Sequence, residues 1–336
     1  MRKVKLLILW IFSRSSGFPF GAPWIAEQDR FGWTMMRYFA RFVIFRHTIP
    51  VLRRLQGNVA PREEQLRNAD INVDFTDYFS ALDIQKTVAE ISQYGAFTCK
   101  EFVLPPAELK SILNYAQTET CYINGNKSLG IKADEWQQAE KKTGSAVMTG
   151  HFFNVPQSCN AIAKVSTCKK LYAIAESYLK TQPHFVRSTM WWSFPTQLAD
   201  AKTLPGVSQA FHKDIVDYKF LKFFFYATEV DDHSGPHQYV LGSHKASLYE
   251  RFNALQKFSD DYVLERHGPG SVRSFTLPAG RGFIADTWGI HKGKPPKNKP
   301  RLMIEIVYAV SAWQDNQAFA RDGECQILGR SEGLTI

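Results

Sequence analysis

Two hydrophobic rhythms divide this chain. Before about residue 180 the apolar positions recur at helical spacing, and after it they come as short dense runs broken by Gly and Pro. Leu82 to Tyr94 (LDIQKTVAEISQY) keeps a three-to-four spacing and stops at Gly95, which reads as a helix with a glycine cap. Ala96–Phe102 reads as a short strand, and Pro105-Pro106 opens a second helix that runs to about Gln117. Residues 123–150, rich in Gly, Lys and Asn, read as loop with a helical patch near Glu135–Lys141. Helices follow around Cys159–Val165 and Lys169–Lys180.

The downstream runs are strands. His184–Phe194 is rich in aromatic and β-branched residues, and Lys219–Val230 is apolar on both faces, as a strand covered on both sides must be. Ser208–Asp214, a short strand within Asp231–His244, Ser271–Leu277, Gly280–Asp286 and Arg301–Val310 complete the set. Residues 245–262 read as helical. Short strands after a helical lead-in predict an α+β, mainly β, chain: a sandwich or barrel braced by helices.

The N-terminal pattern is different. Residues 1–16 have a basic start and an apolar run from Leu6 to Phe12, too short to span a membrane, which takes about 20 apolar residues. Asp29 to Thr48 reads as a helix in which Arg30, Arg37 and Arg41 line one stripe among aromatic and apolar residues. That pattern fits a helix lying at a membrane surface, or one packing on the main domain or a second subunit. It is a weak nucleic-acid signal, and none is expected as a partner. Polar residues 57–80 place a soft boundary, separating a basic aromatic segment (1–60) from a main domain (61–336). Residues 1–60 hold ten Lys and Arg against Glu27 and Asp29, so nearly all of the net charge of +9 belongs to them. Five cysteines without a CxxC spacing argue against a zinc site or disulfide framework and for a reducing, cytoplasmic compartment, peripheral at the membrane if residues 1–56 bind it.

Candidate chemistry concentrates between Phe211 and Arg301. On a strand, His212 and Asp214 would project to one face, and His291, after the Gly280–Asp286 strand where the chain turns back, could supply a third ligand. Two imidazoles and one carboxylate on one face of an iron leave positions open for a co-substrate and dioxygen. A doubly positive iron, one aspartate and a doubly negative 2-oxo diacid leave one negative charge unbalanced, which Arg301 would neutralise bidentately. Lys222 interrupts an apolar strand. Snorkelling outward is the favoured reading, and pointing inward would make it a second co-substrate contact. Ser188 is a further candidate contact, with Trp192 and Phe224 as candidate cavity walls. His233, His237 and His244 read as turn or surface histidines, and Lys292, Lys294, Lys297 and Lys299 as a solvated basic loop.

The segments FHKDIVD, SGPHQYVLGSHK and GRGFIADTWGIHKGKPPKNKPR resemble the phytanoyl-CoA dioxygenase family of Fe(II)/2-oxoglutarate oxygenases. The shared pattern is H-x-D, a P-G-S-H-K-like turn, then His followed about ten residues on by Arg, within roughly residues 85–310. Two positions depart from it: Leu241 stands where the family's turn has Pro, and Gly235-Pro236 followed by His237 stands where it has Gly-Cys or Gly-Ala. The resemblance implies a double-stranded β-helix (jelly roll) with helices outside one sheet. It implies His212, Asp214 and His291 as iron ligands and Arg301 as the partner of the 2-oxoglutarate carboxylate. It also implies a reaction that splits dioxygen, decarboxylates 2-oxoglutarate and oxidises an unactivated C–H bond. The Asp of H-x-D favours hydroxylation over halogenation, since a halide needs a vacant coordination position. The expected substrate is a small or lipid-linked molecule, and the alternative is a membrane-associated binding protein on an inactive jelly roll.

Overall fold

The structure, a computed structural model, describes residues 47–48, 50–51, 78–196, 198, 209–245, 257–311 and 318–328. The expected basic helix of residues 29–48 falls almost wholly outside them, as do the expected boundary near residue 60 and most of the segment expected at a membrane. Among the described residues no helix is long and apolar enough to cross a membrane.

The chain runs α1 (Ile84–Tyr94), β1 (Ala96–Phe97), α2 (Pro106–Thr118), β2 (Cys121–Ile123), β3 (Gly130–Ile131), α3 (Trp136–Thr143) and β4 (Thr149–Phe152). It continues through α4 (Val155–Ser158), α5 (Asn160–Ser166), α6 (Lys169–Leu179), β5 (His184–Ser193), β6 (Phe211–His212), β7 (Phe220–Tyr226) and β8 (His237–Val240). It ends with β9 (Lys257–Phe258), α7 (Asp260–His267), β10 (Val272–Phe275), β11 (Gly282–Ala285), β12 (His291–Gly293) and β13 (Arg301–Ala309). The first helix begins where its sequence asks: the Asp83 side chain accepts from the Lys86 N–H at 2.9 Å, satisfying a free N-terminal donor. It ends at Gly95, whose φ of +84° suits glycine and whose N–H donates to Ile91. A Cβ there would also run into the Tyr239 hydroxyl, so the turn admits no larger residue.

Two antiparallel sheets form, ordered β1-β11-β7-β13-β5-β4-β2-β3 and β10-β8-β12-β6-β9. From β5 onward the chain passes between the sheets at nearly every connection: β5, β7, β11 and β13 lie in the large sheet, and β6, β8, β10 and β12 in the small one. That alternation is a double-stranded β-helix, the architecture the family resemblance implied.

Both faces of the large sheet are covered, which explains its unbroken apolar runs. On the outer face, Met190 and Trp192 of β5, Leu221, Phe223 and Phe225 of β7, and Ile304, Ile306 and Tyr308 of β13 pack with Ile91, Ile112, Ile162 and Leu171 of the helices. On the inner face Phe224, Tyr226, Phe283 and Met303 meet Tyr239 and Phe275 of the small sheet. Every residue of β7 and β13 is buried.

Several local expectations are corrected. Within residues 123–150 the expected helical patch is α3, and the expected loop holds β3, with the ends of β2 and β4 at its borders, extending the large sheet; strands of two to four residues carry too little alternation to be read. The Ala96–Phe102 strand pairs only over Ala96–Phe97. The helix expected over 245–262 is, in its described part, the strand β9 followed by α7, which starts at Asp260 behind an N-cap Ser259.

Candidate metal centre and its cavity

Three elements bring the site together. β6 carries His212 and β12 carries His291, and the two histidines are direct register partners with ring centroids 4.3 Å apart. His291 therefore sits on a strand, not at the turn expected from its sequence context. Asp214 lies beyond the end of β6, so strand alternation does not place it; its backbone N–H is held instead by the Thr287 carbonyl at 2.8 Å.

The ligand atoms converge. Asp214 Oδ1 is 3.5 Å from His212 Nε2, and Asp214 Oδ2 is 3.3 Å from His291 Nε2. All three donors lie within 4.8 Å of one another. His212 Nδ1 donates to the Ala210 carbonyl at 2.8 Å, and His291 Nδ1 to the Gly289 carbonyl at 2.9 Å. A carbonyl can only accept, so both protons sit on Nδ1 and both Nε2 lone pairs face the carboxylate. Burial pushes the His291 pKa down and keeps that ring neutral. Burial alone would raise the Asp214 pKa, but the Lys222 ammonium beside it outweighs that and holds the carboxyl well below its usual range.

Two lone pairs and a carboxylate aimed at one point repel unless a cation lies among them. Metal-bound donors at about 2.1 Å, set at right angles, lie about 3 Å apart, close to the spacings here. The residues fit a divalent metal held by two neutral imidazoles and one carboxylate.

Arg301 opens β13, is 2% exposed, and lines the same cavity. Its Nη2 donates to Ser193 Oγ at 3.0 Å, while its Nε and Nη1 are buried without an acceptor. No described carboxylate pairs with it. A buried guanidinium without a counter-ion costs several kcal/mol, so this position fits an anionic ligand that completes it, such as the carboxylate of a diacid.

The cavity is about 520 Å3, within the usual range for small-molecule sites. Four of its features were not legible beforehand, or were misread. Lys222 points inward, not outward: its Nζ donates to Glu305 Oε2 at 2.6 Å and forms an ion pair with Asp214 Oδ2 at 2.9 Å. Glu305 was missed; it also accepts from Arg187 Nη2 at 2.8 Å, giving an alternating chain Arg187–Glu305–Lys222–Asp214 along the cavity. Burial would raise the Glu305 pKa, but the two cations bring it below its usual range. His237, read as a turn or surface residue, is buried in the cavity wall, where burial and the Arg301 charge hold its pKa well below normal. His151, also missed, stacks beside Trp191 with centroids 6.1 Å apart.

Ser188 faces the other way. On β5 the cavity takes Arg187, Thr189, Trp191 and Ser193, so Ser188 looks to the helices and bonds Ser166 Oγ at 2.6 Å. Trp192 shares that outward face, donating to the Ala116 carbonyl at 3.3 Å, while Phe224 lines the cavity as expected. Lys292, expected in a solvated loop, is buried against Asp260 at 2.6 Å. His233 is exposed, and His244 is half-buried with Nε2 at 3.1 Å from the Ser92 carbonyl.

No family model matches the sequence, and no curated protein matches it. Solved structures do. The non-heme alpha ketoglutarate dependent epimerase SnoN from nogalamycin biosynthesis is 16% identical, aligning 67% of this chain with 82% of its own at a TM-score of 0.47. HygX from Streptomyces hygroscopicus, solved with nickel and 2-oxoglutarate, is 14% identical over 67% and 86%, TM-score 0.44. EvdO2 from Micromonospora carbonacea var. aurantiaca, complexed with 2-oxoglutarate, is 13% identical over 68% and 90%, TM-score 0.46. At these identities and TM-scores the chemistry of this chain rests on its own residues.

Proposed function

We propose that this chain is a non-haem Fe(II)/2-oxoglutarate-dependent oxygenase acting on a small molecule. The observation that supports it most is the convergence of His212, Asp214 and His291 in one cavity with a buried Arg301 that lacks a counter-ion. His212, Asp214 and His291 would hold the iron and Arg301 the distal carboxylate of 2-oxoglutarate. Iron with 2-oxoglutarate and dioxygen would supply an oxidant strong enough for an unactivated C–H bond, the co-substrate leaving as succinate and carbon dioxide. The protein's own share is positional. Backbone carbonyls fix both imidazole tautomers, and Lys222 restrains Asp214. Hydroxylation is the outcome we favour, because Asp214 fills a coordination position that a halide would need.

The test is succinate formation from 2-oxoglutarate by the iron-loaded protein, first alone and then against panels of lipid, sugar and acyl-carrier substrates. Slow uncoupled turnover that one class accelerates supports the reading. Absence of any 2-oxoglutarate consumption removes it in favour of an inactive binding fold. A lipid-linked substrate, and membrane contact through residues 1–56, remain proposals drawn from the N-terminal sequence; deletion of those residues should then abolish vesicle binding.

A further inference from the structure

Iron and a single arginine anchor leave a third cavity histidine without a task. His237 opens β8, is 4% exposed, and stacks on His291 with centroids 5.3 Å apart and planes 19° from parallel. Phe224 and Phe283 flank it at 5.3 and 4.9 Å. Its backbone N–H donates to Tyr226 Oη at 2.8 Å, which pins the strand, but its Nε2 is buried with no hydrogen-bond partner. In that aromatic setting an apolar side chain would pack as well. An unpartnered buried nitrogen costs about 1–3 kcal/mol unless a ligand supplies the missing partner.

Its position says which ligand. His237 pairs in register with Gly293, two residues beyond the ligand His291, and Gly293 lines the cavity without a side chain of its own. His237 stacks on His291 and lines the same cavity as Arg301. It is not among the three groups that converge on the metal position. The same cavity thus offers orphaned donors on Arg301, at Nε and Nη1, and an orphaned ring nitrogen on His237. Donors without acceptors call for an anion.

We propose that His237 donates its Nε2–H to the distal carboxylate of a dicarboxylate co-substrate, completing with Arg301 a two-residue anion cradle. The proposal rests on the 2-oxoglutarate reading of the site and adds a residue to it. His237 is then a co-substrate-binding residue, and it occupies one of the positions at which this chain departs from the family pattern.

The experiment is calorimetric titration of metal-loaded protein, without oxygen, with 2-oxoglutarate and with pyruvate, which chelates similarly but has no distal carboxylate. His237→Leu should weaken 2-oxoglutarate binding about ten- to hundredfold, the worth of a hydrogen bond to a charged group. It should change pyruvate binding by less than about twofold. His237→Gln, which keeps an N–H donor, should recover most of the loss. His237→Phe, matched to its aromatic neighbours, replaces the leucine variant if that one loses the native circular dichroism. Unchanged 2-oxoglutarate affinity in the apolar variant, or equal loss of both ligands, overturns the proposal alone. Failure of the native protein to bind 2-oxoglutarate overturns the oxygenase reading, and this proposal with it.

Discussion

Glu305 sits in the middle of a fully buried strand and offers a sharp test of how the cavity is held. Its carboxylate is 6% exposed and accepts from Lys222 at 2.6 Å and from Arg187 at 2.8 and 3.1 Å. Glu305→Gln keeps the shape and removes the charge, leaving the buried Lys222 and the half-buried Arg187 facing an amide. Breaking a buried ion pair from one side costs roughly 3–5 kcal/mol. Lys222 keeps Asp214 at 2.9 Å, so the lower end applies, about 3 kcal/mol. At about 2–4 °C per kcal/mol the melting temperature should fall by roughly 6–12 °C. Lys222→Met leaves Glu305 paired with Arg187 but removes the cation beside Asp214, so its cost should be of the same order, about 3 kcal/mol. In the double variant the two losses should fall short of additivity by at least about 1 kcal/mol. Acid dependence gives a second reading. The Glu305 pKa is depressed in the folded protein, so its stabilisation is present above the unfolded pKa of about 4.5 and is lost as pH falls through the folded value. Glu305→Gln should therefore flatten the acid limb of stability. Urea unfolding followed by circular dichroism measures both. A glutamine variant within about 0.5 kcal/mol of the native protein, or fully additive losses, would refute the coupled chain.

Arg301→Leu should leave metal affinity unchanged and weaken 2-oxoglutarate by at least about a hundredfold, because the substitution removes the bidentate charge partner; calorimetry of metal first and co-substrate second separates the two. Arg301→Lys should recover only part of the affinity, since an ammonium cannot match the planar fork. His151, half-buried beside Trp191 and packed into the cavity wall, has its pKa pushed down by desolvation to about 4. Its unfolded form takes up a proton near pH 6.5, so stability should decline as pH falls from there towards 4, and His151→Phe should reduce that decline in urea unfolding at pH 7 and pH 5.

The sequence showed the parts of this molecule that have long-range regularity. The helices Ile84–Tyr94 and Pro106–Thr118 were marked by their periodicity and by Gly95 and Pro106, and the long strands β5, β7 and β13 by dense apolar runs. His212, Asp214, His291 and Arg301 could be singled out as candidates because His212 and Asp214 lie two residues apart and the others follow at the spacing of the family they resemble; the structure adds that all four line one cavity. What escaped was set by pairings that one sequence does not print. The inward turn of Lys222 depends on Glu305, a residue 83 positions away on the neighbouring strand. A lone Lys in an apolar strand reads as a snorkelling side chain. A lone Glu in RLMIEIVYAV went unremarked. Read together, two opposite charges inside buried strands would have signalled a pair. Ser188 was misassigned for a simpler reason: on a strand covered on both faces, alternation does not say which face holds the cavity. His237 looked like a turn residue because Gly and Pro precede it, yet the strand that follows carries it into the cavity wall.

The most direct measurement of the central claim is an anaerobic spectroscopic titration, first with Fe(II) and then with 2-oxoglutarate. Binding of one iron per chain, followed by a weak visible charge-transfer band that His212→Ala abolishes, is the predicted result. A featureless spectrum in the native protein, or a band that survives in His212→Ala, would contradict an iron held by His212, Asp214 and His291.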